Sequence, residues 1–256
     1  MKKDIFSLKG KTAIITGAGN GIGKAAALIL AENGVNVVCG DLHLETAEAT
    51  AVEAQKFGVK AIGVACDVTK EKELEDLVKK AVEAMGRINI LVNNAGGGGG
   101  GREKFDTLTL EYIEKIYRLN VFSIYKLSQL CLPYMNQDKY GSIINISSMA
   151  GQMTSHNMSV YGSSKAAINQ LTKYMAVDLG PYIRVNAIAP GAIKTDALKS
   201  VLTDEMEKKM LVNTPLKVLG ETIDIANTIL YFASPMSKWV SGQVIAVNGG
   251  GTQSLE

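Results

Sequence analysis

A chain of 256 residues, 46% hydrophobic and 20% charged, is long enough to bury one substantial core and has ordinary globular composition. A net charge of +2 with scattered lysines leaves no basic footprint for nucleic acid. No run of about 18 apolar residues occurs, and the start of the chain lacks an apolar leader core, so neither a membrane nor an export route is expected.

Cys39, Cys66 and Cys131 lie far apart, without the spacing of a metal site or a disulfide framework. Buried thiols in a reducing compartment are therefore expected, which implies a cytoplasmic protein that holds no metal.

The first apolar run, Thr12–Thr16, reads as a strand, and helical periodicity follows over Ile22–Asn33. Thr16-Gly17-Ala18-Gly19-Asn20-Gly21-Ile22-Gly23 joins them. Glycines there permit a tight turn, and the amides opening the helix favour a pyrophosphate. Gly17, Asn20, Gly21, Ile22 and Gly23 are thus candidate contacts for a dinucleotide.

The second strand, Asn36–Cys39, leads to Asp41, eighteen positions after Gly23 and near the spacing of a ribose-binding carboxylate. Asp41 could instead cap the helix over Leu44–Phe57. A 2′-phosphate beside this carboxylate would cost up to about 4 kcal/mol per charge pair at 4 Å and an effective dielectric near 20. Asn20, Leu42 and His43 offer no cation in compensation, and Lys24 reads as a surface residue of the helix. NAD is expected over NADP.

The third strand, Lys60–Cys66, ends at Asp67 and Val68, placed to meet an adenine edge. A helix over Lys72–Met85 precedes the fourth strand, Ile88–Val92, and Asn93-Asn94-Ala95-Gly96. Small residues beside Asn94 leave room for a cofactor, and six glycines, Gly96–Gly101, follow. The next helix, Leu110–Tyr134, is apolar on more than one face, as a subunit contact requires.

The fifth strand, Ser142–Ser147, delivers Ser148, and thirteen positions later Tyr161 opens a helix over Val160–Leu179. Tyr161 and Lys165 are four apart and share a face. A cation there favours the phenolate, which could take a proton from an alcohol. The sixth strand, Arg184–Ile188, is followed by Pro190-Gly191 and a helical insert over about 195–212. Leu198, Val201, Leu202, Met206 and Met210 share one face of that insert: either a lid over an apolar ligand or packing against the sheet or a neighbour. A helix over Ile223–Phe232 and a seventh strand, Gln243–Val247, complete the chain.

Continuously apolar strands alternating with helices predict one α/β domain over residues 1–256: a Rossmann-type, doubly wound parallel sheet of seven strands with helices on both faces.

These motifs together resemble the short-chain dehydrogenase/reductase family: the glycine turn, Asn-Asn-Ala-Gly, Asn120 in Leu119-Asn120-Val121, Ser148, Tyr161 with Lys165, and Pro190-Gly191. The resemblance implies that Tyr161 is the general acid/base and that Lys165 lowers its pKa and holds the nicotinamide ribose. It implies that Ser148 binds the reacting oxygen, that Ile193 and Thr195 contact the nicotinamide end, and that the protein is a homotetramer. Asn120 would hold a water of the proton relay or serve the backbone structurally.

Within the family, the four-glycine run from Gly96, Ser147-Ser148-Met149-Ala150 and the segment from Ala189 to Ser200 resemble bacterial NAD-dependent 7α-hydroxysteroid dehydrogenases. That implies a bile-acid substrate touched by Gly98, Ser148, Tyr161 and residue 153. Two departures accompany it: two residues are added after that run, and Met153 stands where a polar residue is expected. Met149, Met153 and Met158 suit an irregular apolar ligand. The alternatives are the same chemistry on a carrier-protein ketoester or a sugar/polyol, and a non-catalytic NAD-binding scaffold. Asp41 disfavours the carrier enzyme, the methionines disfavour the sugar, and a scaffold has no need of Ser148, Tyr161 and Lys165 together. His156 reads as a solvated loop residue.

Overall fold

The computed structural model describes residues 5–98, 103–195, 198 and 202–251. Seven strands form one sheet: β1 (Thr12–Thr16), β2 (Asn36–Asp41), β3 (Ala61–Ala65), β4 (Ile90–Asn93), β5 (Gly141–Ile146), β6 (Ile183–Pro190) and β7 (Val244–Val247). All neighbours pair in parallel, in the order β3-β2-β1-β4-β5-β6-β7. The order reverses between β1 and β4, so a crevice opens there at the carboxyl ends of the strands.

Both faces of the sheet are covered, which is why the strands read as unbroken apolar runs. Adjacent residues point into different cores. Ile15, Val37, Val92 and Ile144 pack with α1 (Gly21–Glu32), α2 (Leu44–Gln55) and a C-terminal helix, Thr222–Ala233. Ile14, Val38, Leu91 and Ile143 pack with α3 (Glu71–Met85), α5 (Ser123–Gln137) and α6 (Ser159–Asp178). Among the described residues the insert carries α7 (Asp204–Val212), and the C-terminal helix Thr222–Ala233 is α8. Met206 is half-buried and Met210 buried, whereas Val201 lies outside the described residues. Gly99–Gly101 of the glycine run also lie outside them.

The helix expected over Leu110–Tyr134 is not continuous. It consists of α4 (Leu110–Tyr117), a π-helical turn (Arg118–Phe122) and α5. That turn inserts an extra residue into the helical register, and such turns concentrate where a side chain must be re-aimed. Here it carries buried Asn120 toward the glycine run. Among the described residues no helix is long and apolar enough to cross a membrane, and no histidine, cysteine or acidic cluster could hold a metal. All three cysteines are buried, and burial pushes each thiol up to about 12.

Candidate active site

The crevice has a volume of about 460 Å³. Gly17, Asn20, Gly21 and Ile22 line one end, and Asp41 and Asn94 lie along it. Gly98, Ser148, Tyr161 and Lys165 line it as well, with Ile193 and Thr195. Residues drawn from five strand ends thus meet in one cleft.

The dinucleotide end is built by close approach. A Cβ on Gly23 would fall 2.0 Å from the Gly17 carbonyl oxygen, so α1 can approach the turn only because residue 23 is glycine. Asn20 stands at the N-cap of α1 without a side-chain capping bond, which leaves the helix-opening amides for an anion. The Asn94 amide donates to the Thr16 carbonyl (2.8 Å) and the Gly17 carbonyl (3.1 Å), fastening the exit of β4 to the turn. Asn94 therefore shapes the cofactor wall by holding backbone.

Asp41, 8% exposed, does not cap α2, whose N-cap is His43. Its carboxylate accepts from the amides of Gly19 (2.8 Å) and His43 (3.1 Å) and from the Thr46 hydroxyl (3.3 Å), yet still faces the crevice. Lys24 is committed to Glu53 at 2.6 Å, so it brings no compensating cation to Asp41. An uncapped helix start with a carboxylate at the end of β2 fits a dinucleotide whose adenosine ribose keeps both hydroxyls.

Asp67 and Val68 do not join this constellation. The Asp67 carboxylate accepts from the amide (3.0 Å) and hydroxyl (2.7 Å) of Thr69, and the Val68 side chain lies in the core beside α3. A short polar side chain after a strand satisfies its own turn before it reaches a ligand. Neither residue lines the crevice.

At the reacting end the Ser148 hydroxyl hydrogen-bonds to the Tyr161 phenol. Ser148 Oγ also accepts from the Ala150 amide (3.2 Å), which leaves its proton free for the phenol. The Lys165 ammonium lies over the Tyr161 ring, 5.7 Å from its centre, and donates to the Ile146 carbonyl at 2.9 Å.

The electrostatics correct the sequence expectation. The protein by itself holds the Tyr161 phenol above, not below, its ordinary range. Burial is the main cause and the Glu103 charge adds to it, while the Ser148 hydrogen bond opposes them. Lys165 is fully desolvated, and burial lowers its pKa to about 8. An ammonium committed to a carbonyl, with its own charge penalised, does not outweigh the dehydration of the phenol.

Asn120 is 1% exposed, and its side chain is occupied by protein. Its amide nitrogen donates to the Gly97 carbonyl and to Ser164 Oγ, both at 2.9 Å, and its oxygen accepts from the Gly97 amide at 2.9 Å. Of the two roles open to it, this geometry supports the structural one. Gly98 adopts φ +108, and a Cβ there would fall 2.8 Å from Ile116 Cδ1, so only glycine fits. Met153 does not line the crevice; with Met158 it borders a neighbouring depression, because the short 3₁₀ turn Met149–Gly151 carries the chain away. His156 is an exposed loop residue, as expected.

Glu103, outside the crevice lining, meets the helix that carries Tyr161, a contact that sequence reasoning missed. It is 2% exposed and meets the start of α6, accepting from the Val160 amide at 2.8 Å and the Tyr161 amide at 3.0 Å. An acid after a glycine run carries no periodic or spacing signal, and only folding reveals its destination.

Comparison with known proteins agrees with this geometry. A family model described as enoyl-(acyl carrier protein) reductase matches residues 17–252. The chain is 49% identical to the 7α-hydroxysteroid dehydrogenase of Escherichia coli K12 over 98% of each chain. It is 36% identical to a 3-oxoacyl-[acyl-carrier-protein] reductase of Thermotoga maritima over 95% of this chain and 98% of that one. A solved 7α-hydroxysteroid dehydrogenase in complex with NADH and 7-oxo glycochenodeoxycholic acid superposes with a TM-score of 0.95, covering 100% of both chains at 48% identity. A nucleotide crevice at the switch point, a serine–tyrosine–lysine group at its inner end and relatives matched over nearly their whole length lead to one conclusion: the chain belongs to the short-chain dehydrogenase/reductase family of oxidoreductases.

Proposed function

We propose that this enzyme interconverts the 7α-hydroxyl and 7-oxo groups of bile acids with NAD, as a cytoplasmic homotetramer. The observation that carries the chemistry is the meeting of Ser148, Tyr161 and Lys165 in one crevice with the Asp41 end. The substrate is supported by the 49% identity to an enzyme named for that reaction. When bound, NAD supplies the hydride acceptor for oxidation and NADH the donor for reduction.

Tyr161 moves the proton. Because burial keeps its phenol protonated, it is set at neutral pH to donate to a 7-oxo group as that oxygen becomes an alcohol. Ser148 holds the same oxygen. In oxidation the phenol must first lose its proton, which the overlying Lys165 ammonium and the Ser148 hydrogen bond both favour. Asn120 acts by fixing Gly97, and Gly98 leaves room for a flat ligand. Ile193 and Thr195 border the reacting end, and α7 serves as a lid, tied to the exit of β6 by Lys194 and Glu207 at 2.9 Å.

The test is NADH formation with cholic, chenodeoxycholic and deoxycholic acids. The first two carry a 7α-hydroxyl and should be oxidised; deoxycholic acid lacks it and should not be. Rapid oxidation of deoxycholic acid, or activity confined to carrier-linked ketoesters or polyols, would refute the bile-acid reading.

A further inference from the structure

Gly96, Gly97 and Gly98 line the crevice that Ser148 and Tyr161 also line, and a stretch without side chains cannot hold its own position. Its near end is held by Asn120, which pairs with both the amide and the carbonyl of Gly97. Beyond its far end stands Glu103, whose backbone amide donates to the Asn157 carbonyl at 2.9 Å.

The Glu103 carboxylate reaches two other elements. One oxygen, Oε2, accepts from the amides of Val160 (2.8 Å) and Tyr161 (3.0 Å). Oε1 accepts from the Tyr112 hydroxyl of α4 at 3.0 Å and from the Tyr161 amide at 3.2 Å. Val160 and Tyr161 are the second and third residues of α6, whose amides have no intrahelical acceptor. The residue at the N-cap, Met158, contributes no side-chain bond. An acid arriving from another loop thus does the work usually done by a capping serine or aspartate, and a negative charge at a helix start is favourable there.

We propose that Glu103 is a positioning residue for the reaction: by capping, from another loop, the helix that carries Tyr161 and tying it to α4 through Tyr112, it fixes where the phenol stands in the crevice. The role depends on reach as well as on hydrogen bonding. Glutamine retains the length and one acceptor oxygen, whereas aspartate retains the charge but is shorter by one methylene. The proposal rests on the bile-acid reaction for its kinetic arm only.

The experiment compares Glu103→Ala, Glu103→Gln and Glu103→Asp with the parent enzyme in three measurements: kcat and KM for cholic acid, NADH affinity, and deuterium uptake of the peptide over residues 157–164. A misplaced reacting group costs on the order of 10- to 100-fold, so kcat/KM should fall by that much in the alanine and aspartate variants. Glutamine should stay within about threefold of the parent, and NADH affinity should hold within about twofold throughout. Uptake should rise in the alanine variant and not in the glutamine one. Unchanged kcat/KM for alanine or aspartate would overturn the proposal, as would NADH affinity falling in step with activity or unchanged uptake in the alanine variant. If the alanine variant does not fold, the aspartate–glutamine difference decides. A parent enzyme inactive on cholic acid would sink the bile-acid reading alone, and the uptake result would then decide for Glu103.

Discussion

Tyr161 and Lys165 illustrate how burial can reverse the first effect of a neighbouring charge. The phenol is held protonated by dehydration despite a hydrogen bond from Ser148, so the oxidation it serves as a base should gain as pH rises. Reduction, which uses the protonated form, should keep its rate at neutral pH and lose it as the phenol ionises. Removing the hydroxyl in Tyr161→Phe should lower kcat by about 10² to 10⁴ while NADH still binds. Ultraviolet difference titration of the parent against that variant, without cofactor, should show this tyrosinate less than half formed at pH 10, the ordinary value. A midpoint near neutrality would mean that dehydration does not control this phenol.

Lys165 carries a stability cost that its role in the proposed reaction would explain. Its pKa falls from 10.5 unfolded to about 8 folded, so between those values the unfolded chain binds more protons. Folding therefore becomes more favourable as pH rises across that window, and the whole penalty is present below pH 8. The shift corresponds to roughly 3 kcal/mol at about 1.4 kcal/mol per unit, from which the unpaired Ile146 carbonyl left by Lys165→Met would subtract about 1–3 kcal/mol. That variant should gain relative to the parent at pH 7 and lose the advantage toward pH 10.5, as read from denaturant midpoints across pH. A pH-independent difference would mean that Lys165 is not desolvated.

Among the elements, the β1–α1 unit depends on contacts too close for any side chain. Gly23→Ala would drive a methyl group against the Gly17 carbonyl and the Asn94 amide, which would move 2.0 and 2.6 Å neighbours. The variant should fold, since the sheet and both cores are untouched, but NADH affinity by fluorescence should fall at least about 100-fold, roughly 2.7 kcal/mol. Wild-type affinity would show that the turn does not form the cofactor cradle. The π-helical turn is the other decisive element. Without its extra residue, Asn120 would be rotated away from Gly97, and the glycine wall would lose its anchor.

For the whole molecule, exposed apolar surface bears on assembly. Phe105, Leu110 and Phe122 line a shallow groove of about 640 Å³ over α4 and the start of α6. Trp239, 95% exposed, precedes the edge strand β7 and does not line that groove. Large exposed apolar groups mark interaction sites, and two separate patches suit the two interfaces of a dihedral tetramer. Sedimentation should find a tetramer for the parent and dimers for Phe122→Asp and for Trp239→Ser. A parent that sediments as a monomer at micromolar concentration would end that proposal.

The parallel sheet, its helices on both faces and the glycine turn were legible in the sequence, because period, run length and turn chemistry are local properties. So was the group formed by Ser148, Tyr161 and Lys165, because it sits at a strand end and on one face of a single helix. Tertiary structure alone decided the rest. Asp67 turned to Thr69 and Met153 to a neighbouring depression because nearby backbone competes for short side chains and turns. The phenol rose in pKa because desolvation depends on everything packed around it. Glu103 reached Tyr161 across 58 positions, a separation at which no local pattern can say which backbone amides a carboxylate will meet.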